Sequence, residues 1–353
     1  MNVKERYDLG MRNAEFVLVK IAHAKKGDNI VVLADQPRYR NARLFCECAK
    51  NLGINAVIFD FDIYGGDEKF RQMPIMEPVR QAILHADITF MVTPQILTGF
   101  DYYIGDQSSA DLTLTGVGQK YTFEIDGLDQ WNLNEEEVLA NFSRAKNLFS
   151  WLKKADEVHV TSRRGTDLRV KVGAAPDGMY PVLGIIPFYS EVAIVPSFNS
   201  VNGVVVVDGG SENAYHQHGE PIRPNLPGHN ETYMEPLTMV YKDSYLVDYR
   251  GPQIQVDRLD KLMRDVDPKP ELCDELGIVT TTSMENSLWG WQVDHSHQNH
   301  CVHVAIGNNH ERGKQIHSTE HIDFDVHDPI LEVDGQVIYK DGKFDDGLIN
   351  SMA

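Results

Sequence analysis

The run Gly27-Asp28-Asn29-Ile30-Val31-Val32-Leu33 decides the fold class. Ahead of it, from Val3 to Lys26, apolar residues recur at helical spacing. Gly27-Asp28 breaks that pattern, and the four apolar residues Ile30 to Leu33 follow without polar alternation. A strand apolar on both sides belongs where both faces of a sheet are covered. The predicted order is helix, turn, buried strand, and it repeats. A helix over Asn41 to Leu52, closed by Gly53, leads into Ala56-Val57-Ile58-Phe59, and Pro78 to Ala86 leads into Ile88 to Val92. Helices alternating with buried strands predict a mostly parallel sheet with right-handed crossovers. The strand ends carry Asp35-Gln36, Asp60-Phe61-Asp62 and Thr93-Pro94. None is a glycine-rich phosphate cradle, and Thr115-Gly116-Val117-Gly118 lacks both the spacing and the preceding strand of one.

Further along, Glu135 to Lys154 reads as a helix opening on Asn134, with carboxylates in its first turn where they complement the helix dipole. Beyond it the period changes to two: Val158 to Thr161, Leu168 to Val172, Val192 to Val195, Val204 to Val207, Met239 to Tyr241 and Tyr245 to Val247 all read as strands. The expected class is α/β, with an N-terminal mostly parallel α/β sheet domain over 1–155 and a C-terminal β-rich (α+β) domain over 156–353. A chain of 353 residues suits two such units.

Composition narrows the function. A net charge of -19 repels phosphate backbones, and the only tight basic pair is Arg163-Arg164, so nucleic acid is excluded as the main ligand. That pair is expected to bind surface acids. Neither an apolar leader nor a run of 18 apolar residues occurs, which points away from a membrane. The four cysteines have no zinc-ribbon or disulfide-scaffold spacing, and the expected compartment is the cytoplasm.

Eight of the fourteen histidines fall between His295 and His327, a density that suits a metal site. Within it, His321-Ile322-Asp323 has the period-two spacing that puts an imidazole and a carboxylate on one face of a strand. His303 lies in the alternating run Cys301 to Gly307, on the same face as Ala305. His310 and His317 fall in the loop between these strands. His295, His297 and His300, with Glu285, Trp289 and Trp291, form a stretch suited either to lining a substrate pocket or to ordinary packing.

Several segments, taken in order, resemble the M29 metallo-aminopeptidases, the aminopeptidase T family. They are Gly165-Thr166-Asp167-Leu168, Glu191-Val192 before Pro196, Gly203 to Gly209, Glu275-Leu276-Gly277-Ile278, His303 to Gly307, His321-Ile322-Asp323, and the closing Asp334-Gly335 and Asp341-Gly342. The resemblance implies a homodimeric metal-dependent hydrolase that cleaves a peptide or amide bond of a small or short-peptide substrate with a metal-activated water. It places the metals on Glu191, Glu275, His303, His321 and Asp323, with Glu191 and Glu275 also catalytic. His310 stands where the family's tyrosine ligand is sought. Carboxylate-rich ligation suits zinc, cobalt or manganese. A more distant resemblance, to the 2,5-dihydroxypyridine 5,6-dioxygenases of the same superfamily, implies instead one Fe(II) ion and cleavage of a hydroxylated pyridine or similar aromatic ring. His321 and Asp323 fit both readings.

Overall fold

The computed structural model describes residues 1–34, 39–60, 77–92, 119–122, 128–129, 134–173, 179–183, 190–213, 231–232, 235–265, 271–281, 301–307 and 321–353. His310, His317, the His295–His300 stretch, Glu285, Trp289, Trp291 and the Thr115–Gly118 run lie outside them, as do most of the N-terminal strand-end loops. The first helix, α1 (Val3–Phe16), opens on a capping box in which Asn2 and Glu5 satisfy each other's backbone N–H groups. It closes in a π-helical turn, Val17–Ile21. The helical periodicity predicted a helix running to Lys26. The structure ends it at Ile21, because His23 turns into the left-handed region and a helix cannot continue through that conformation.

Strands β1 (Asn29–Ala34), β2 (Asn55–Asp60), β3 (Ile88–Val92) and β4 (Gln119–Thr122) form one parallel sheet in the order β2-β1-β3-β4. Helices α2 (Tyr39–Asn51) and α3 (Glu77–Leu84) lie between successive strands in the chain. Every residue of β1 after Asn29 is buried, as its unbroken apolar run requires.

After α4 (Glu135–Leu152), capped by the Asn134 side chain, all the strand pairings are antiparallel. In chain order come β5 (Glu157–Thr161), β6 (Asp167–Lys171), β7 (Met179–Leu183), β8 (Ser190–Ile194), β9 (Val201–Val207), β10 (Gly210–Asn213), β11 (Glu231–Thr232), β12 (Leu237–Lys242) and β13 (Tyr245–Arg250). Then follow α5 (Gln253–Asp265), β14 (Cys273–Val279), β15 (Cys301–Gly307), β16 (His321–His327), β17 (Ile330–Val333), β18 (Gln336–Lys340), β19 (Lys343–Phe344) and α6 (Asp346–Met352). They make a seven-stranded sheet, β11-β10-β16-β15-β14-β8-β7, and an eight-stranded sheet, β13-β12-β9-β6-β5-β17-β18-β19. The closing hairpins turn at Asp334-Gly335 and Asp341-Gly342, whose four residues all take the positive φ that a tight two-residue hairpin turn needs.

The two large sheets share one core. Val192, Ile194, Leu276, Ile278, Val302, Val304, Ile322, Phe324 and Val326 of the first join Val158, Val170, Val205, Met239 and Leu331 of the second. A second core holds the parallel sheet and its helices, and it also takes in Ala193 and Val279 from the seven-stranded sheet. Helix α4 feeds both cores, with Val138 and Phe142 in one and Ala145, Leu148, Trp151 and Leu152 in the other. Ala193 and Val279 point opposite to Val192 and Ile278, so the parallel-sheet unit packs on the other face of the seven-stranded sheet. Of the predicted site residues, Glu191, Glu275, His303 and Asp323 lie on that face.

Two resemblance segments turn out to be a packing joint. The Thr166 hydroxyl accepts from the Val206 N–H (3.0 Å), and a Cβ on Gly203 would lie 2.1 Å from the Asp167 carbonyl oxygen. The arginine pair binds acids, as expected: Arg163 meets Asp341 at 3.5 Å and Arg164 meets Asp208 at 3.2 Å. Cys46, Cys48 and Cys273 are free thiols, and no described helix is long and apolar enough to cross a membrane.

Candidate metal centre

The site is built by cross-strand register on three adjacent strands, β8, β14 and β15, with β16 beside them. In one row Asp323 pairs with Ala305, which pairs with Glu275. In the next, Asp325 pairs with His303, His303 with Gly277, and Gly277 with Ala193. In the third, Val279 pairs with Glu191. Small residues thus sit between the large polar ones, and they make room for a ring. A Cβ on Gly277 would lie 2.0 Å from His303 Nε2, so the imidazole lies across the glycine backbone in space that no other residue type leaves open. Glu275 from the row on one side and Glu191 from the row on the other close on the ring. Nε2 is 3.7 Å from Glu191 Oε2 and 3.9 Å from Glu275 Oε1.

Glu275 reaches this face only because β14 carries a bulge. Cys273 pairs with Ile306 while Glu275 pairs with Ala305, so Asp274 is an extra residue in the ladder. Strict alternation after the core residue Cys273 would have turned Glu275 toward Leu276's side. With the bulge, Cys273, Leu276 and Ile278 all enter the core while Glu275 faces His303.

Exposures are 5% for Glu191, 2% for Glu275, 2% for His303 and 4% for Asp323. Charged groups so deeply buried need compensation, since losing hydration costs several kcal/mol per ion. For His303, burial alone would lower the pKa. The fields of Asp323, Glu191 and Glu275 and a hydrogen bond to Glu275 outweigh it and raise the pKa to about 10. A pocket that draws a proton this strongly has the sign of field that draws a metal cation, and metal and proton compete for the same nitrogen.

One oxygen each of Glu191 and Glu275 and one nitrogen of His303 lie within 4.8 Å of one another, close enough for one ion to touch all three. Two carboxylates and an imidazole are a donor set that divalent zinc, cobalt or manganese accepts. Asp323 stands in the register row of Glu275 and makes the largest single contribution that raises the His303 pKa. His321 opens β16 with its backbone opposite Gly307. Position by position, Glu191, Glu275 and His303 come together, Asp323 adjoins them, His321 shares their sheet, and His310 lies outside the described residues.

Sequence reading missed the continuation of the stripe. Asp325 is fully buried on the same strand face and pairs in register with His303. His327 follows two residues later, and its backbone N–H donates to Asp208 Oδ1 at 2.8 Å. Gly209 accommodates this end of the stripe, since a Cβ there would lie 2.5 Å from the Asp325 Cβ and 2.8 Å from His327 Nε2. The full alternation His-Ile-Asp-Phe-Asp-Val-His was the available signal, because all three intervening residues are core.

Two solved structures superpose on the whole chain. A 2,5-dihydroxypyridine dioxygenase from Pseudomonas putida KT2440 matches with a TM-score of 0.65 at 15% identity, over 98% of this chain and 99% of that one. AmpT from Thermus thermophilus matches with a TM-score of 0.61 at 15% identity, over 98% of this chain and 100% of that one. The chain shares the fold of both proteins. No protein-family model matches the sequence, and no curated protein matches it. Because the shared fold hosts more than one kind of protein, the choice between chemistries falls to the site.

Proposed function

We propose that the chain is a metal-dependent hydrolase of a peptide or amide bond, resembling the aminopeptidase T family, with Glu191, Glu275, His303, His321 and Asp323 around one or two divalent ions. The convergence of Glu191, Glu275 and His303 carries the reading. A bound divalent ion would supply a water of lowered pKa and polarise the scissile carbonyl. The chain's own groups set the stage for that chemistry. The carboxylates of Glu191 and Glu275 neutralise the cation's charge and can accept the water's proton. Gly277 gives the His303 ring its place, and Asp323 biases the pocket toward cations. The likeness to AmpT supports this reading.

Its rival is ring cleavage by one Fe(II), supported by the likeness to the dioxygenase. A mononuclear iron site of the usual kind takes two histidines and one carboxylate. Among the described residues the converging group has the opposite ratio, which favours the hydrolase.

The test is metal content by mass spectrometry on protein purified without chelator or affinity metal, in wild type and in Glu191→Ala. Zinc, cobalt or manganese that is diminished in the variant sends the protein to peptide and amide substrates. One iron per chain, indifferent to Glu191, overturns the hydrolase and calls for oxygen-consumption assays with hydroxylated pyridines.

A further inference from the structure

Behind Glu191 runs a chain of contacts that ends at the C-terminal helix. Ser190, the residue before Glu191, is engaged at every polar group. Its N–H donates to Thr281 Oγ1 (2.8 Å), its carbonyl accepts from Thr280 N–H (2.9 Å), and its hydroxyl meets Thr280 Oγ1 (2.8 Å). All three residues are fully buried. Thr280 follows Val279, the register partner of Glu191, so the two strand ends are tied where Glu191 departs. The Thr280 carbonyl in turn accepts from Arg144 Nη1 at 2.7 Å. That guanidinium also holds Asn141 Oδ1 (2.7 Å) and grips Asp346 through both carboxylate oxygens, at 2.6 and 2.9 Å. The Phe344 ring lies 5.0 Å from it. Arg144 sits on α4 between the residues that enter one core and those that enter the other.

A planar guanidinium with several fixed partners transmits geometry in a way that a single flexible contact does not. We infer that Arg144, oriented by Asp346, is a positioning residue that fixes the Thr280–Ser190 strand junction and thereby aims the Glu191 carboxylate at the metal. The inference rests on the reading of Glu191 as a ligand. It makes the C-terminal helix part of the site's support.

The experiment is a Zn²⁺ titration of the metal-free full-length chain in wild type, Asp346→Asn, Glu191→Gln and the double variant, with the melting temperature of each metal-free protein recorded. Asp346 is half exposed (51%), so its neutral isostere should fold. Outer partners of metal ligands typically contribute about 10- to 100-fold in affinity. Asp346→Asn should weaken zinc roughly tenfold in the wild-type background and leave it within about twofold in the Glu191→Gln background, because the two act on one carboxylate. Asp346→Glu, which keeps the charge, should recover part of the loss. Thr280→Val, which removes the hydroxyl link from the other end, should reproduce Asp346→Asn. Equal weakening in both backgrounds, or wild-type affinity in Asp346→Asn and Thr280→Val, overturns the positioning role while leaving Glu191 as a ligand. Wild-type protein that takes up no zinc, or takes it up indifferently to Glu191→Gln, overturns both.

Discussion

On one face of the seven-stranded sheet, Leu276, Ile278, Val302, Val304, Ile322, Phe324 and Val326 pack into the core shared with the eight-stranded sheet. On the other face the same strands present Glu275, His303, Asp323 and Asp325, joined by Glu191 from β8, and these are buried nearly as completely. The difference teaches what burial means on each side. On the apolar face, removal from water is the source of stability, at about 25 cal/mol per Å². On the polar face it is a cost, met by mutual charge compensation and, in the proposed function, by a cation. Stability and function are therefore written on alternate residues of one strand, Ile322-Asp323-Phe324-Asp325-Val326.

Substitutions on the two faces should accordingly have opposite signatures. The largest effect belongs to the apolar face: Phe324→Ala should destabilise the chain by about 3–5 kcal/mol, read by urea unfolding, with or without metal. A loss under about 1 kcal/mol would mean that this face does not carry the core. Next is metal itself. Zinc at a hundredfold excess over its Kd should stabilise the wild type by about 2.7 kcal/mol, and an unchanged melting temperature on removing or restoring zinc would erase the functional half of the contrast.

Gly277→Ala sharpens it further. A methyl where the imidazole now lies should cost roughly 1–3 kcal/mol by overpacking and expel the ring from its place. Zinc affinity should fall with it, and wild-type zinc binding in this variant would contradict the cradle. The smallest effect runs the other way. Glu275→Gln should make the metal-free chain more stable, on the order of 1 kcal/mol, because relief of its repulsion with Glu191 and Asp323 outweighs the lost attraction to His303, while abolishing metal-induced stabilisation. A less stable metal-free variant would show that Glu275 already contributes net stability without a cation.

Much of this was legible beforehand because it is local. Unbroken apolar runs read as buried parallel strands; β1, β2 and β3 do pair in parallel and β1 is buried, whereas β2 lies at the sheet edge and leaves Val57 47% exposed, so its apolar run did not mean two covered faces. Period-two runs read as antiparallel strands, and the His321-Ile322-Asp323 alternation put core and polar residues on opposite faces of β16. The helix after Asn134 was marked by its cap and acidic first turn, both observed.

Residue spacing alone could not bring Glu191 to Glu275, which lie on neighbouring strands separated by a long stretch of chain; only the family resemblance linked them. Nor could it expose the bulge at Asp274, which changes the face Glu275 occupies, or the roles of Ala193, Gly277 and Ala305, small residues that mean nothing until a ring and two carboxylates are seen converging over them. The Arg144 network was invisible for the same reason. Patterning along a chain determines which side of a strand is polar or apolar, because side chains alternate with a fixed period. Which polar residues meet is decided by register between strands, a non-local pairing that only the folded structure sets.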